Sequence, residues 1–461
     1  LTMSPGARLR AVLTPLSVLG LALAALASPA SAAGGTVTAP TQLFNGYQHC
    51  SADADRPTHL NTRSGLIVMG IPGTTGDSPV TVRYRIWPVT DPAQVTTVSR
   101  ERALPGFEAS ATVPAAALTD GLTYAWQAQT VAGDTASERS APCYVTVDNT
   151  RPANAPTLSS PNYLPDGWNQ GGEPVTFTMD ANGVEDVTGF QFSWTRDFSV
   201  VGTEIGDHGI PRPVDPYADT TQFKRADAPG GSATLSLVPP RGSGVMTFSV
   251  RSLDRALNSS AATHYMFRIG STAPTVTPAV PSPEFGERTV FTLRPDAALQ
   301  STSPVVGYSV RTDDRRGGTE TVDVAAEEDG TARVEIALDG MYGTFLEVTS
   351  RSANGWVSDA ASWQINYDTT PTVASDTYPE NRSGGGAGVP GTFTFAPKAG
   401  DVVSYTYSFD GGPETTVAAG DDGTASVEWT PDSDGFHYLT VHATTRSGVQ
   451  LAERDYYFTV S

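Results

Sequence analysis

The feature that most constrains this chain is an alternation of period two that returns four times. Residues 389–461 carry it most clearly. Thr392-Phe393-Thr394-Phe395 begins it, followed by Val403, Tyr405, Tyr407 and Phe409, then Ala425, Val427 and Trp429. Leu439, Val441 and Ala443 continue it, and Tyr456, Phe458 and Val460 close it. Successive side chains of a strand point to opposite faces, so each run predicts a strand with one face in a core. Asp410-Gly411-Gly412 and Asp421-Asp422-Gly423 break the runs with turn residues. Short alternating runs closed by such turns predict an antiparallel β-sandwich.

Upstream, Leu439/Val441/Ala443 matches Leu346/Val348/Ser350, Phe248/Val250/Ser252 and Tyr124/Trp126/Ala128. The closing set Tyr456/Phe458/Val460 matches Trp363/Ile365/Tyr367, Tyr265/Phe267/Ile269 and Cys143/Val145/Val147. Nine residues after the first member of each leading set stand Gly448, Gly355, Leu257 and Gly133. Glycine there suits a turn that needs positive φ, and Leu257 is the exception. A period of roughly 90 to 120 residues is too long for a solenoid unit and fits a whole domain. The expected fold is therefore all-β, with four tandem antiparallel β-sandwiches at 36–148, 150–270, 271–368 and 369–461. Composition agrees, because Gly 45 and Pro 35 in 461 residues mark a turn-rich chain while 39% hydrophobic content supports folding.

Residues 1–32 read as a secretory signal peptide. Arg8 and Arg10 precede an apolar run at 11–27, and Ala30-Ser31-Ala32 forms a small-residue cleavage site. Thr14, Pro15 and Ser17 interrupt the run, which argues against a retained membrane anchor. The expected location is extracellular, with no membrane span after cleavage. Cys50 and Cys143, the chain's only cysteines, then enter an oxidising compartment and are expected to form a disulfide.

The formal charge is −20, and lysine appears only at Lys224 and Lys398. Such a surface repels phosphate backbones, so nucleic acid is excluded as a partner. The carboxylates gather at turns, in Asp313-Asp314, Glu327-Glu328-Asp329 and Asp421-Asp422, where solvation accounts for them. No cofactor is expected. The one place for Ca²⁺ is a domain junction, through Asp148 or Asp368. His437 and His442 lie five apart in one strand and point to opposite faces, so they cannot share a metal. Neither HExxH nor GxSxG occurs, and Gly384-Gly385-Gly386-Ala387-Gly388 lacks the lysine and helix of a phosphate loop. The chain therefore reads as no enzyme.

Two features point to contact surfaces. The second domain carries an insertion at 196–230 that holds His208 and the Lys224-Arg225 pair, and long loops on rigid scaffolds often carry binding function. Trp87, Trp168 and Trp356 are the tryptophans least clearly assigned to core strands, and are the candidates for an exposed aromatic platform. Short proline-containing links stand between the domains: Asp148 to Pro156, Ser271-Thr272-Ala273-Pro274 and Asp368-Thr369-Thr370-Pro371. They restrict hinge motion more than Gly/Ser linkers would.

Thr123-Tyr124-Ala125-Trp126, the stretch from Ala141 to Pro152, and the openers Tyr163-Leu164-Pro165-Asp166 and Tyr378-Pro379-Glu380 carry a resemblance. The chain resembles the immunoglobulin-like or fibronectin type III-like repeats of large secreted actinobacterial proteins, which often stand beside laminin G-like jelly rolls. The resemblance covers nearly all of 33–461 and implies a non-catalytic structural, adhesive or binding array at the cell surface. Its expected partner is a cell-wall or extracellular glycan, or a surface protein. The alternative is a carbohydrate-binding accessory protein or a glycan-active enzyme.

The thiols supply a first test. Denatured, freshly secreted protein should show no titratable thiol, and reduction should destabilise the first domain alone. Bridging residues 93 apart is worth up to about 4.7 kcal/mol in the chain-entropy description. Two free thiols would refute the bond, and a loss of stability shared by the later domains would show that the domains do not unfold independently.

Overall fold

The computed structural model describes residues 36–46, 48–200, 203–205, 211–313 and 319–461. The predicted signal peptide and its cleavage point lie outside the described residues, and so does His208. The chain falls into two compact units, built mainly on 36–147 and on 148–461.

In the first unit, Gln48–His49, Val37–Asn45, Leu66–Thr74 and Ala109–Val113 form one antiparallel sheet in that order. A second sheet runs Cys143–Val147, Thr123–Ala132, Val80–Pro88, Thr96–Ala103. Val82, Tyr84 and Ile86 alternate inward from one strand and are buried with Val68, Met69, Val113 and Trp126. The Tyr84 hydroxyl donates to the Ala109 carbonyl, tying the two sheets across the core. Cys50 and Cys143 are bonded, with Cα atoms 5.3 Å apart.

The second unit repeats one plan. Thr157–Ser159, Val175–Asp180 and Ser232–Leu237 form a three-stranded sheet. Its partner sheet runs Trp168–Asn169, Thr263–Ile269, Gly244–Leu253, Gly189–Ser193, Phe223–Arg225. Thr275–Pro278, Arg288–Arg294 and Ala332–Ala337 recreate the smaller sheet, with Ala361–Asn366, Gly343–Ser352, Val305–Asp313 and Thr319–Ala325 as the larger. Thr372–Ala374, Gly391–Ala396 and Ala425–Trp429 do so again. Their partner sheet runs Ser383–Gly384, Arg454–Val460, Gly435–Thr445, Val402–Phe409, Thr415–Ala418. Two features recur across the sandwiches. The short strands Trp168–Asn169 and Ser383–Gly384 each run parallel to the closing strand of their own sandwich. Tyr308 and Tyr405 donate across the core to the carbonyls of Gly330 and Gly423, both at 2.6 Å, as Tyr84 does to Ala109.

The registers explain why the repeats align in sequence. Phe248 opposes Tyr265, Leu346 opposes Trp363 and Leu439 opposes Tyr456. The first sandwich departs from this, since Tyr124 opposes Val145 and Trp126 opposes Cys143. Its closing strand is thus offset by two residues. A two-residue slip keeps every side chain on its own face, so the core pattern survives the change.

The edge strand Phe223–Arg225 corrects the insertion. It pairs with Gly189–Gln191, the place that Thr319–Ala325 and Thr415–Ala418 hold in their own sandwiches. Lys224 and Arg225 therefore belong to the common plan, and the extra chain lies between Ser193 and Phe223.

Trp356 is also corrected. It is 1% exposed, wedged where the second and third sandwiches meet. A Cβ on Gly171 would fall 2.8 Å from its ring, so only glycine lets the indole seat there. Its Nε1 donates to the Thr272 hydroxyl at 3.0 Å, and Asn354 donates to the Gly172 carbonyl at 2.8 Å.

The turn in the final hairpin of each sandwich takes positive φ at Gly133 (57°), Leu257 (61°), Gly355 (87°) and Gly448 (83°). The backbone need is therefore common to all four positions, and Leu257 meets it at a cost of roughly 1–2 kcal/mol. Asp254 offsets that cost, because one carboxylate oxygen accepts from the backbone N–H of Ala256 and of Asn258, both at 2.8 Å. Leu257→Gly should therefore raise the stability of the second sandwich by about 1 kcal/mol, read from its chemical denaturation midpoint. A loss of stability would show that the leucine side chain contributes more by packing than its backbone costs.

Candidate functional site

Phe198, Ser199 and the stretch from Asp215 to Arg225 of the 196–230 segment are tied to the larger sheet of the second sandwich. Gln191, in a core strand, donates to the carbonyl and hydroxyl of Ser199 and accepts from Arg251 at 2.6 and 2.9 Å. The Arg251 guanidinium lies 4.7 Å from the centre of the Phe198 ring. Arg225 bonds Asp215 at 2.6 Å and covers the Tyr217 ring at 4.3 Å, so the charge expected to meet a partner is engaged within the chain. Lys224 stays exposed on the edge strand.

The three tryptophans separate. Trp168 stands 71% exposed on its short parallel strand, Trp87 is half-buried in the first unit, and Trp356 is sealed at the junction. They form no common platform. Large aromatic exposure occurs elsewhere too, singly at Phe107 and Tyr342 and side by side at Phe436 and Tyr457 on the fourth sandwich. Phe436 and Tyr457 sit at outward positions of the alternation that places Leu439 and Phe458 inward. The alternation identifies the inward set as core and by itself assigns the outward rings no role.

The turn carboxylates act on their own backbones. Asp329 accepts from the N–H and hydroxyl of Thr331, and Asp422 does the same with Thr424. These bonds hold both carboxyls below the usual range. Asp368 takes a Lys398 ammonium at 2.6 Å and the Thr370 hydroxyl at 2.5 Å, which brings it down to about 2.

Asp148 is placed differently. Its carboxylate lies with those of Asp186 and Asp254, one oxygen of each within 4.8 Å of the others. Asp254 is fully buried. Burial, then the nearby Asp186 charge, raises its carboxyl above the usual range, against hydrogen bonds from Asn258 and Ala256 that pull it down. Asn258 also donates to the backbone carbonyls of Asp148 and Thr150, gathering the link against the turn. Three carboxylates are half of the oxygen set that a hard cation such as Ca²⁺ takes, so these residues could hold one. Asp148 was singled out in the sequence by its place in a link. Asp186 and Asp254 were not, because nothing in the spacing of 148, 186 and 254 brings them together. The available signal was an acid at 254 where the aligned turns have Thr445 and Ser352.

His437 faces inward in the fourth sandwich. Its Nδ1 meets the Asp410 carboxylate at 2.7 Å and its Nε2 the Ser433 carbonyl at 3.1 Å. Burial disfavours the charged ring, yet these two acceptors together outweigh it and raise the histidine above its ordinary value. His442 points to the other face of the strand, so the two imidazoles share no site.

No protein-family description and no curated protein matches the chain. Among solved structures, it is similar to the FN1-FN3 domains of chicken CNTN1 at 12% identity and TM-score 0.23, over 66% of this chain and 98% of that one. It is also similar to a Ca²⁺-stabilized adhesin that helps an Antarctic bacterium reach out and bind ice, at 14% identity and TM-score 0.23 over 92% and 100%. Among the described residues, no helix is long and apolar enough to cross a membrane.

The His437 pair makes the fourth sandwich pH-sensitive in a known direction. A histidine raised on folding contributes stability that is full below its unfolded value near 6.5 and is lost as pH rises through the higher folded value. The melting temperature of that sandwich should therefore fall as pH rises from about 6 to 8. His437→Gln should abolish this slope. A slope unchanged in the variant would assign it to another group.

Proposed function

We propose that the protein is an extracellular, non-catalytic array whose second, third and fourth sandwiches are carried in fixed relation through sealed links, serving a structural or adhesive role. The observation that carries this reading is the burial of one threonine in each link of the second unit. Thr272 and Thr369 are both 1% exposed, each two residues before a proline. Thr272 accepts from Trp356, and its backbone N–H donates to Asp359 at 2.8 Å. Thr369 donates to the Met341 carbonyl at 2.6 Å and accepts from the Ala452 N–H at 3.1 Å, so it joins the third sandwich to the fourth. Phe285 of the third sandwich packs against the core of the fourth, 3.1 Å from where a Cβ on Gly400 would stand.

A chain that only needed to connect domains would leave its links solvated. Burying hydroxyls and donors in the links costs desolvation, which only well-made hydrogen bonds offset. The result is a junction that resists bending, which suits a role in holding a surface at a set position. The turn acids cap their own backbones, which leaves them a structural task within the sandwiches.

Limited digestion with a broad-specificity protease tests this. The links at 271–274 and 368–371 should remain uncut under conditions that degrade the denatured chain. Trp356→Ala should cost about 3–5 kcal/mol and open the first of these links to cleavage while the second stays closed. Ready cleavage at both links in the parent protein would overturn the fixed-junction reading. Release of soluble sugars from cell wall, chitin or cellulose incubated with the protein would overturn the non-catalytic one.

A further inference from the structure

We propose that the outer face of the larger sheet of the fourth sandwich, at Phe436, Tyr438 and Tyr457, is a binding site for an uncharged polysaccharide chain. The inference rests on the adhesive reading above and adds to it a site and a ligand class.

Phe436 is 68% exposed and Tyr457 40%, although a phenyl ring in water forgoes the burial that stabilises the rest of the sandwich. The two rings lie nearly parallel, 19° apart, with centroids 5.8 Å from each other. Tyr438 adds a third ring, 6.4 Å from that of Tyr457. The equivalent places in the neighbouring sandwiches are set by the strand register. Tyr438 opposes Tyr457, as Thr247 opposes Met266 and Phe345 opposes Gln364. Phe436, opposite Thr459, has Val245 opposite Arg268 and Gly343 opposite Asn366 in its place. The common fold therefore does not require aromatic residues here, since the second and third sandwiches are built with other residues at one or both positions of the pair.

The polar surroundings select the ligand. Asp455 stands beside the rings and is held from two sides, by the Tyr457 hydroxyl at 3.1 Å and the Thr440 hydroxyl at 3.0 Å. A carboxylate fixed in this way is a directional acceptor for ligand hydroxyls. The π faces carry negative charge and favour the electropositive C–H faces of a pyranose ring, which can lie on them while its equatorial hydroxyls reach the Asp455 edge. Asp410, Asp432 and Asp434 lie near the same strand in sequence, in a chain of net charge −20, and disfavour an anionic ligand. An extended peptide added as a strand has no purchase either. Gly435–Thr445 is paired on both sides, and Arg454–Val460 is paired to it and, at Thr459 and Val460, to Ser383–Gly384, so the rings stand on a sheet face, where a strand does not add.

The test uses the full secreted chain in depletion assays against insoluble cellulose and chitin, at 0.15 M and 1 M NaCl, with polygalacturonate as the anionic probe. The parent should bind at least one of the two neutral polymers at both salt concentrations and should not bind polygalacturonate. F436A/Y457A should lower the bound fraction at least tenfold while its melting transition stays in place, because both rings are solvent-exposed. Trp168→Ala, on the second sandwich, should bind as the parent does. The proposal falls if the parent binds neither neutral polymer, if F436A/Y457A binds like the parent, or if 1 M salt removes the binding. It also falls if sedimentation shows a dimer that the double variant abolishes, for then a second copy of the chain covers this face. Protease resistance of the links is read separately, so failure of this site leaves the fixed-junction reading standing or falling by its own measurement.

Discussion

Each sandwich depends on one constraint: two sheets must bury one face each against the other, with aliphatic side chains and aromatic rings filling the gap together. In the second sandwich Phe177 and Phe248 stack with centroids 4.0 Å apart, one from each sheet. In the fourth, Phe409 and Trp429 stack at 4.6 Å across the same gap. A ring of this size buries on the order of 150–250 Å², so each such pair adds a large share of apolar contact at one place. The cross-core tyrosines follow from the same geometry. A phenol long enough to reach the opposite sheet must end on an acceptor there, and Tyr405 finds the Gly423 carbonyl, with burial pushing its hydroxyl up to about 12.

The turn that closes the last hairpin shows how one backbone requirement is met by different chemistry. Glycine meets it at 133, 355 and 448 with no side chain to clash. At 257 a leucine meets it because a buried aspartate fixes the N–H groups on either side. That solution carries a consequence for the neighbouring link. Asp254 brings a carboxylate under Asp148 and Asp186, and Asn258 fastens the Asp148 and Thr150 carbonyls to the same turn. The third and fourth sandwiches seal their own links from the same part of the fold, through Trp356 and Ala452. A hairpin turn is thus the recurring piece that clasps the chain entering its domain.

Much of this was readable in the residues. The alternating runs placed the core faces, and the matched sets located the hairpins, because the period of a strand is set by local stereochemistry and needs no partner. Side chains whose fate depends on a neighbouring domain were not readable. Trp356 follows a glycine in a loop and looks exposed in sequence, and what buries it is the missing Cβ of Gly171, some 180 residues earlier. Lys224 and Arg225 looked like the tip of an insertion for a related reason. Whether a short stretch is loop or edge strand is decided by the partner it pairs with, here Gly189–Gln191.

The sequence by itself determined the class of fold, the alternation that faces each core, and the turns that demand glycine, since all of these follow from φ, ψ and the direction of successive side chains. Tertiary structure decided which residues are shared between domains and which remain on the surface. It drew Asp148, Asp186 and Asp254 together and buried Thr272 and Thr369 in the links. It left Phe436 and Tyr457 side by side in solvent, because the strands that carry them are neighbours only once the sheet has formed. Pairing between distant segments is set by the summed burial of whole faces, and no local pattern of residues encodes that sum.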